Sequence, residues 1–194
     1  LTADKALLKP ATRLLGVAES GLIGASQTIL GGVVIRKDLL IDGLVWNKVT
    51  LRGTDSTRAI IQMLMWLARA DLNGLMLHGT VVAGYNIIDM DQLFKSTSLP
   101  IISVTKQPHE ELKVHLKSTF PSEWKERWEI AQRNGEIKSM EIEPNSCVYV
   151  QFKGCEWDVV KGVIKGFTYF GGIPEPIRVA RMLARALIET KKRI

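Results

Sequence analysis

The apolar residues fall into short runs whose spacing alternates between that of strands and that of helices. Residues 12–18 (TRLLGVA) form a near-continuous apolar run, as a buried strand does. Residues 28–36 (TILGGVVIR) and 39–51 (LLIDGLVWNKVTL) follow, and the polar Lys37-Asp38 between them predicts a hairpin. Gly31-Gly32 inside the second run signals either a bulge or a close approach of backbone. The segment TDST at 54–57 supplies N-cap candidates, after which Ile60, Met63, Leu64 and Leu67 recur on one helical face as far as Leu72-Asn73-Gly74. Residues 75–78 (LMLH) form a short strand closed by Gly79, residues 89–96 a short helix, and residues 100–105 (PIISVT) another strand. Strands alternating with helices in this way pair in parallel.

The pattern then changes. Residues 107–135 are charged, with Trp124 and Trp128 four apart, which predicts helices lying against the sheet with the Trp pair turned to the core, the alternative being a base-stacking platform. Residues 148–152 are strand-like, and residues 157–166 are ambiguous. Residues 174–191 form a long amphipathic helix with Pro174 and Pro176 near its first turn and Val179, Leu183, Leu187 and Ile188 on its buried face. The ETKKRI tail places cations where a helix C-terminus favours them.

Length and composition narrow the class. The 194 residues suffice for a sizeable core and are expected to form one domain, residues 1–194. A 46% apolar content excludes a disordered chain. No apolar run reaches a bilayer span, because Arg36, Lys37, Asp38 and Asp42 interrupt residues 29–49. The N-terminus lacks the pattern of a signal peptide, so the expected location is the cytoplasm, with no membrane partner. The 26 Lys and Arg against 20 Asp and Glu give a net charge of +6. That excess suits a phosphate-bearing partner, and equally the charge-rich proteins of thermophiles. Cys147 and Cys155 match neither zinc nor thioredoxin spacing and are expected as buried, inert thiols.

Three antiparallel strands, a helix, then parallel strands with helices is the layout of the ribonuclease H-like fold, an α/β mixed sheet flanked by helices. Leu15-Gly16-Val17 closes the first strand, Leu77-His78-Gly79 closes the fourth, Leu99-Pro100-Ile101 opens the fifth, and IPEPIR at 173–178 opens the last helix. This set, in this order, resembles endonuclease V, and more closely an archaeal family related to it and linked to cleavage at deoxyuridine. The resemblance covers nearly the whole chain, with IPEPIRVAR its most specific piece. It implies a ribonuclease H-like fold and a phosphodiester-cleaving ancestry in DNA repair.

The resemblance also implies where catalytic groups should stand. The acid that follows Gly-Val at the end of the first strand is replaced by Ala18. The acid opening the helix after the third strand is matched by Asp55, and the acid closing the fourth strand is replaced by His78. A histidine of the last helix is replaced by Arg181, and Lys106 matches a family lysine. The Pro-Tyr-Ile-Pro wedge of endonuclease V has no counterpart before Asp55.

Metal-assisted phosphodiester cleavage needs Mg²⁺ or Mn²⁺ held between carboxylates. Ala18 supplies no ligand, His78 offers nitrogen, and Arg181 would repel a cation while attracting phosphate. Glu19 is adjacent to Ala18 but alternates to the other face of a strand, unless a twist at the strand end turns it inward; the related archaeal family tends to carry two acids here. Asp42 and Asp89 are further possible recruits, more simply explained by a bulge and a helix start. Asp55 is read equally as an N-cap and as a surviving site residue. Ser20 and Ser26, in the loop ESGLIGASQ, are candidate phosphate contacts or ordinary turn residues, and His109 and His115 are expected in solvent.

Three functions remain open. The first is an endonuclease V-like nucleic-acid-binding protein, DNA favoured over RNA, that cuts poorly or not at all, with Lys106, Arg181 and Ser20 on the substrate. The second is an active metal-dependent endonuclease with a rearranged site of Glu19, Asp55 and His78. The third is a non-catalytic interaction protein whose old site is filled by side chains.

Overall fold

The computed structural model describes residues 3–20, 26–107, 111–144 and 146–191. Residues 21–25 of the ESGLIGASQ loop, His109 and the last residues of the tail lie outside the described residues. In chain order the elements are α1 (Ala3–Leu7), β1 (Arg13–Glu19), β2 (Gln27–Arg36), β3 (Ile41–Thr50), α2 (Ser56–Leu67), β4 (Gly74–His78), β5 (Val81–Val82), β6 (Asn86–Ile87) and α3 (Met90–Thr97). They continue with β7 (Ile101–Thr105), α4 (Leu112–Thr119), α5 (Trp124–Arg133), β8 (Lys138–Glu143), β9 (Ser146–Lys153), α6 (Trp157–Gly166) and α7 (Glu175–Lys191).

Seven strands form a mixed sheet in the order β3-β2-β1-β4-β7-β9-β8. β1, β4 and β7 run parallel, with Val17 beside Leu77 and Leu77 beside Ser103. β2 and β3 extend the sheet antiparallel on one side, as the hairpin pattern predicts. A second antiparallel hairpin, β8-β9, extends it on the other. β8 escapes the sequence pattern because KSMEIE buries only Met140. Residues 157–166 resolve as helix, burying Val160, Val163 and Ile164 at helical spacing. No helix among the described residues is long and apolar enough to cross a membrane.

Strand alternation divides the core between the two faces of the sheet. Leu15, Val17, Leu75 and Leu77 pack with Ile60 and Met63 of α2 and Leu93 of α3. Leu14, Ala18, Met76 and Val104 pack with Val163 of α6 and Ile177 and Ala180 of α7. Each such fully buried aliphatic side chain contributes roughly 1.5–3 kcal/mol.

Two glycines set how close α7 lies. A Cβ on Gly16 would stand 2.2 Å from the Pro176 carbonyl oxygen, and one on Gly31 2.4 Å from that of Ala180. Gly31 therefore marks close backbone approach. The bulge falls on the neighbouring strand, where the register with β2 skips Asp42. This packing lays the IPEPIR helix directly over the ends of β1 and β4, where the site is built.

Candidate functional site

β1 and β4 are parallel neighbours in register at Val17 and Leu77, so Ala18 and His78 follow side by side. Both take the α7 face: Ala18 packs in the cluster of Ile177 and Ala180, and His78 pairs across to Val104 of the same cluster. Glu19 falls on the other face. There its Oε2 accepts a hydrogen bond of 2.6 Å from the backbone N–H of Ala83, in the turn between β5 and β6. The pleat continues to the strand end, so Glu19 does not turn in to replace the acid missing at Ala18.

His78 borders two cavities. A cleft of about 880 Å³ opens on the Glu19 side, lined by Glu19, Thr80, Tyr85, Trp128, Tyr149 and Gln151 among others. A smaller cavity of about 380 Å³ lies toward α7, between Ser20, Ile177, Arg178, Arg181 and Arg185. Arg178 donates from Nε to both carboxylate oxygens of Glu175 and from Nη2 to Oε2, and Arg185 pairs with Glu189 at 2.7 Å. Arg181 is exposed and makes no hydrogen bond among the described residues, yet its charge is felt by both Glu19 and His78. The Ser20 hydroxyl, on the same cavity, is buried without a hydrogen-bond partner among the described residues.

The electrostatics follow from this placement. Burial holds the His78 pKa below the usual imidazole value, and the Arg181 charge lowers it further. Burial raises the Glu19 pKa from its ordinary value, opposed by the Ala83 N–H and by Arg181. An imidazole whose protonation is disfavoured and a carboxyl whose ionisation is disfavoured thus stand at adjoining ends of β1 and β4, each within reach of the Arg181 charge.

Asp55 stands apart. It precedes α2 but makes no side-chain capping bond to the helix. Its carboxylate accepts from the Thr50 N–H at 3.1 and 3.2 Å, the Thr50 hydroxyl at 2.8 Å and Asn86 Nδ2 at 2.7 Å. The buried Asn86 in turn accepts from the Ser56 N–H, so it meets the helix end that Asp55 was expected to meet. Asp55 therefore clamps the β3–α2 turn to β6, and it lines neither cavity. Burial favours its protonated form, but the bonds from Thr50 and Asn86 outweigh it and lower the pKa.

The expected set of Glu19, Asp55 and His78 is not assembled, and among the described residues no three His, Cys, Asp or Glu side chains form a metal-holding group. The donors do not fit a Mg²⁺ or Mn²⁺ ion: Ala18 supplies none, Glu19 turns to Ala83, Asp55 is engaged by Thr50 and Asn86, and Arg181 brings a fixed positive charge. Asp42 lies at the opposite end of β1, paired with Arg13 and Arg69. Asp89 caps α3 through Gln92 and pairs with Arg133.

Lys106 lines neither cavity, and its Nζ donates 2.8 Å to the Gly171 carbonyl, tying the end of β7 to the loop before α7. Ser26 is exposed. His115 is exposed, stacked on Tyr85 at a centroid distance of 6.0 Å. Cys147 is exposed rather than buried, whereas burial pushes the half-buried Cys155 thiol up to about 12.

The cleft wall includes Gln151 and Thr80, which the sequence did not single out, and Trp128, which it did. Gln151 accepts from the Thr80 hydroxyl at 3.1 Å and donates to the Gly135 carbonyl at 2.8 Å. Trp128 packs partly on the Leu112 and Leu116 cluster, as its spacing suggests, and also faces the cleft. Lys113 and Lys117 lie over the Trp128 and Trp124 rings.

Comparison with known proteins extends along the whole unit. The profile of the family described as endonuclease dU matches residues 10–188. A UPF0215 protein of Methanosarcina barkeri is 33% identical over 184 residues, with 93% of each chain covered. Among solved structures, a protein of unknown function from Archaeoglobus fulgidus superposes with a TM-score of 0.76 at 21% identity, covering 91% of this chain and 98% of that one. Ciona intestinalis endonuclease V, solved with a 24mer DNA containing an inosine followed by a ribo-adenosine, superposes with a TM-score of 0.63 at 16% identity, covering 92% and 87%. The fold is that of the endonuclease V structures.

Proposed function

The chain belongs to the endonuclease dU family, and from that premise we propose that it binds nucleic acid, DNA in preference to RNA, at the β1 and β4 ends and cleaves it weakly or not at all. The observation that carries this reading is an open cleft lined by both aromatic and polar side chains, beside a guanidinium that makes no hydrogen bond among the described residues, at strand ends whose carboxylates are missing or engaged elsewhere. An interaction protein with a filled site would have no open cleft of about 880 Å³ there.

The two cavities suit the two parts of a nucleotide. Tyr85, Trp128 and Tyr149 offer aromatic surface to an extruded base, and base-on-aromatic stacking contributes about 1–3 kcal/mol. Gln151, Thr80 and Ser103 offer hydrogen-bonding groups to its edge. Arg181 and the Ser20 hydroxyl suit the neighbouring phosphate, with Arg181 supplying the positive charge a metal ion would otherwise bring. A deaminated base, uracil or hypoxanthine, is the base of choice by analogy with the inosine-containing DNA of the Ciona relative.

Titration of fluorescent single- and double-stranded DNA, with and without one deoxyuridine or deoxyinosine, across a salt series tests this. Affinity should fall linearly with salt on a log–log plot and be higher for the base-modified strand. Absent binding, or binding indifferent to salt, overturns the reading.

A further inference from the structure

β3 is an edge strand of the seven-stranded sheet, and it is unusually apolar for an edge. Val45 and Val49 pack in the α2-side core and Asn47 bonds the Ala59 carbonyl of α2, so odd-numbered residues face that helix. Leu44 and Trp46 project from the other face, where α7 covers β1 and β2. Leu44, Trp46 and, on α2, Met65 and Trp66 are between 42% and 70% exposed. Leu44, Trp46 and Trp66 share a shallow groove along the edge.

The backbone of this edge is largely capped by the protein itself. The Asp42 carbonyl accepts from Arg69 Nη1 at 2.6 Å, the Lys48 N–H donates to Asn47 Oδ1 at 2.8 Å, and the Thr50 N–H donates to Asp55. The Leu51 N–H donates inward, to Ser26 across the hairpin. Even-numbered residues therefore direct their backbone groups outward. The stretch left open for a new ladder is Leu44 and Trp46.

We propose that two copies of this chain associate through β3, antiparallel about a two-fold axis at Val45, with Leu44 of each opposite Trp46 of the other. In this register each Leu44–Trp46 pair exchanges both backbone hydrogen bonds. Shifting the pairing so that Trp46 meets its own counterpart would set Leu44 against Lys48, whose N–H is taken by Asn47. Shifting it so that Leu44 meets its own counterpart would set Trp46 against Asp42, whose carbonyl is taken by Arg69. The caps thus select one register. It also brings Lys48 toward the acidic Asp42 of the second copy. The α2 helices come together across the axis, Trp66 toward Trp66, as an isologous contact requires. The four exposed apolar side chains offer on the order of 500 Å² per copy. With the covered edge backbone, this approaches the ~800 Å² per partner of a stable interface.

Sedimentation velocity of the full chain, diluted from about 100 µM downward, should show a species of twice the 21.6 kDa chain mass giving way to monomer. Trp46→Lys should sediment as a monomer at every concentration while keeping its circular dichroism spectrum. Leu44→Pro removes only an outward N–H and should do the same. In a Cys147→Ser, Cys155→Ser background, Val45→Cys should form a disulfide-linked dimer, because a directly opposed pair lies within disulfide reach. A wild-type monomer throughout the series, or a dimer unaffected by Trp46→Lys, overturns the proposal, and neither result depends on nucleic-acid binding.

Discussion

The Glu19 carboxylate accepts a 2.6 Å hydrogen bond from the Ala83 N–H, on the face of β1 opposite its neighbour Ala18. One bond thus accounts for an acid that is next to the position where the resemblance to endonuclease V expects one and yet faces away from it. Because the folded pKa of Glu19 is raised, its contribution to stability is fully present below the ordinary glutamate value and is lost as pH rises through the folded value. Glu19→Gln keeps an acceptor for Ala83 without the buried charge. It should raise the melting midpoint by about 2–4 °C at neutral pH, with the gain shrinking toward pH 4. Thermal unfolding of both proteins across pH checks this.

Arg181→Gln should act on two observables. Removing its charge lets the His78 pKa move upward toward the ordinary imidazole value, visible in an NMR titration of the ring protons. The same change should weaken DNA binding and reduce the magnitude of the log–log salt slope by about 1, as loss of one phosphate contact does. A salt slope that does not change would remove Arg181 from the phosphate site.

Asp55→Ala should damage the fold and spare the site. It strands the Thr50 N–H and the Thr50 hydroxyl and leaves Asn86 Nδ2 only its bond to the Thr50 carbonyl, at a cost of about 1–3 kcal/mol in urea unfolding. The folded pKa of Asp55 is lowered, so its stabilisation is present above the ordinary aspartate value and is lost as pH falls through the folded value. DNA affinity per folded molecule should stay within about twofold of wild type, a margin worth less than ~0.5 kcal/mol.

Gly16→Ala tests how α7 is seated. The added Cβ meets the Pro176 carbonyl at 2.2 Å, so the helix must shift. A loss of about 1–3 kcal/mol is expected, together with weaker DNA binding as Arg181 moves away from His78. Stability and affinity measured on the same preparation check that both fall.

Much of the sheet is legible in the sequence because its strands are buried on both faces or alternate cleanly. Residues 13–19, 27–36, 74–78 and 101–105 show this as plain apolar runs. β8 is not legible, since an outer strand with one buried residue carries no period. At the site, motif order locates Ala18, His78 and Arg181 in the chain, and the fold puts Ala18 beside His78 and Arg181 on the cavity that His78 borders. The role of Asp55 does not, because an acid before a helix reads as a cap until the long-range bonds to Thr50 and Asn86 are seen. The cleft wall is equally hidden. Tyr85, Trp128 and the β9 pair Tyr149 and Gln151 come from three separate segments that only the tertiary fold brings together.

The most direct measurement is binding of one deoxyuridine-containing oligonucleotide in excess chelator and again in Mg²⁺ or Mn²⁺, with the strand examined for cleavage after each. If the Arg181 charge serves where a metal would, the affinity is the same with and without divalent ion and the strand stays intact. Binding that requires the ion, or cleavage that Asp55→Ala abolishes, would contradict it.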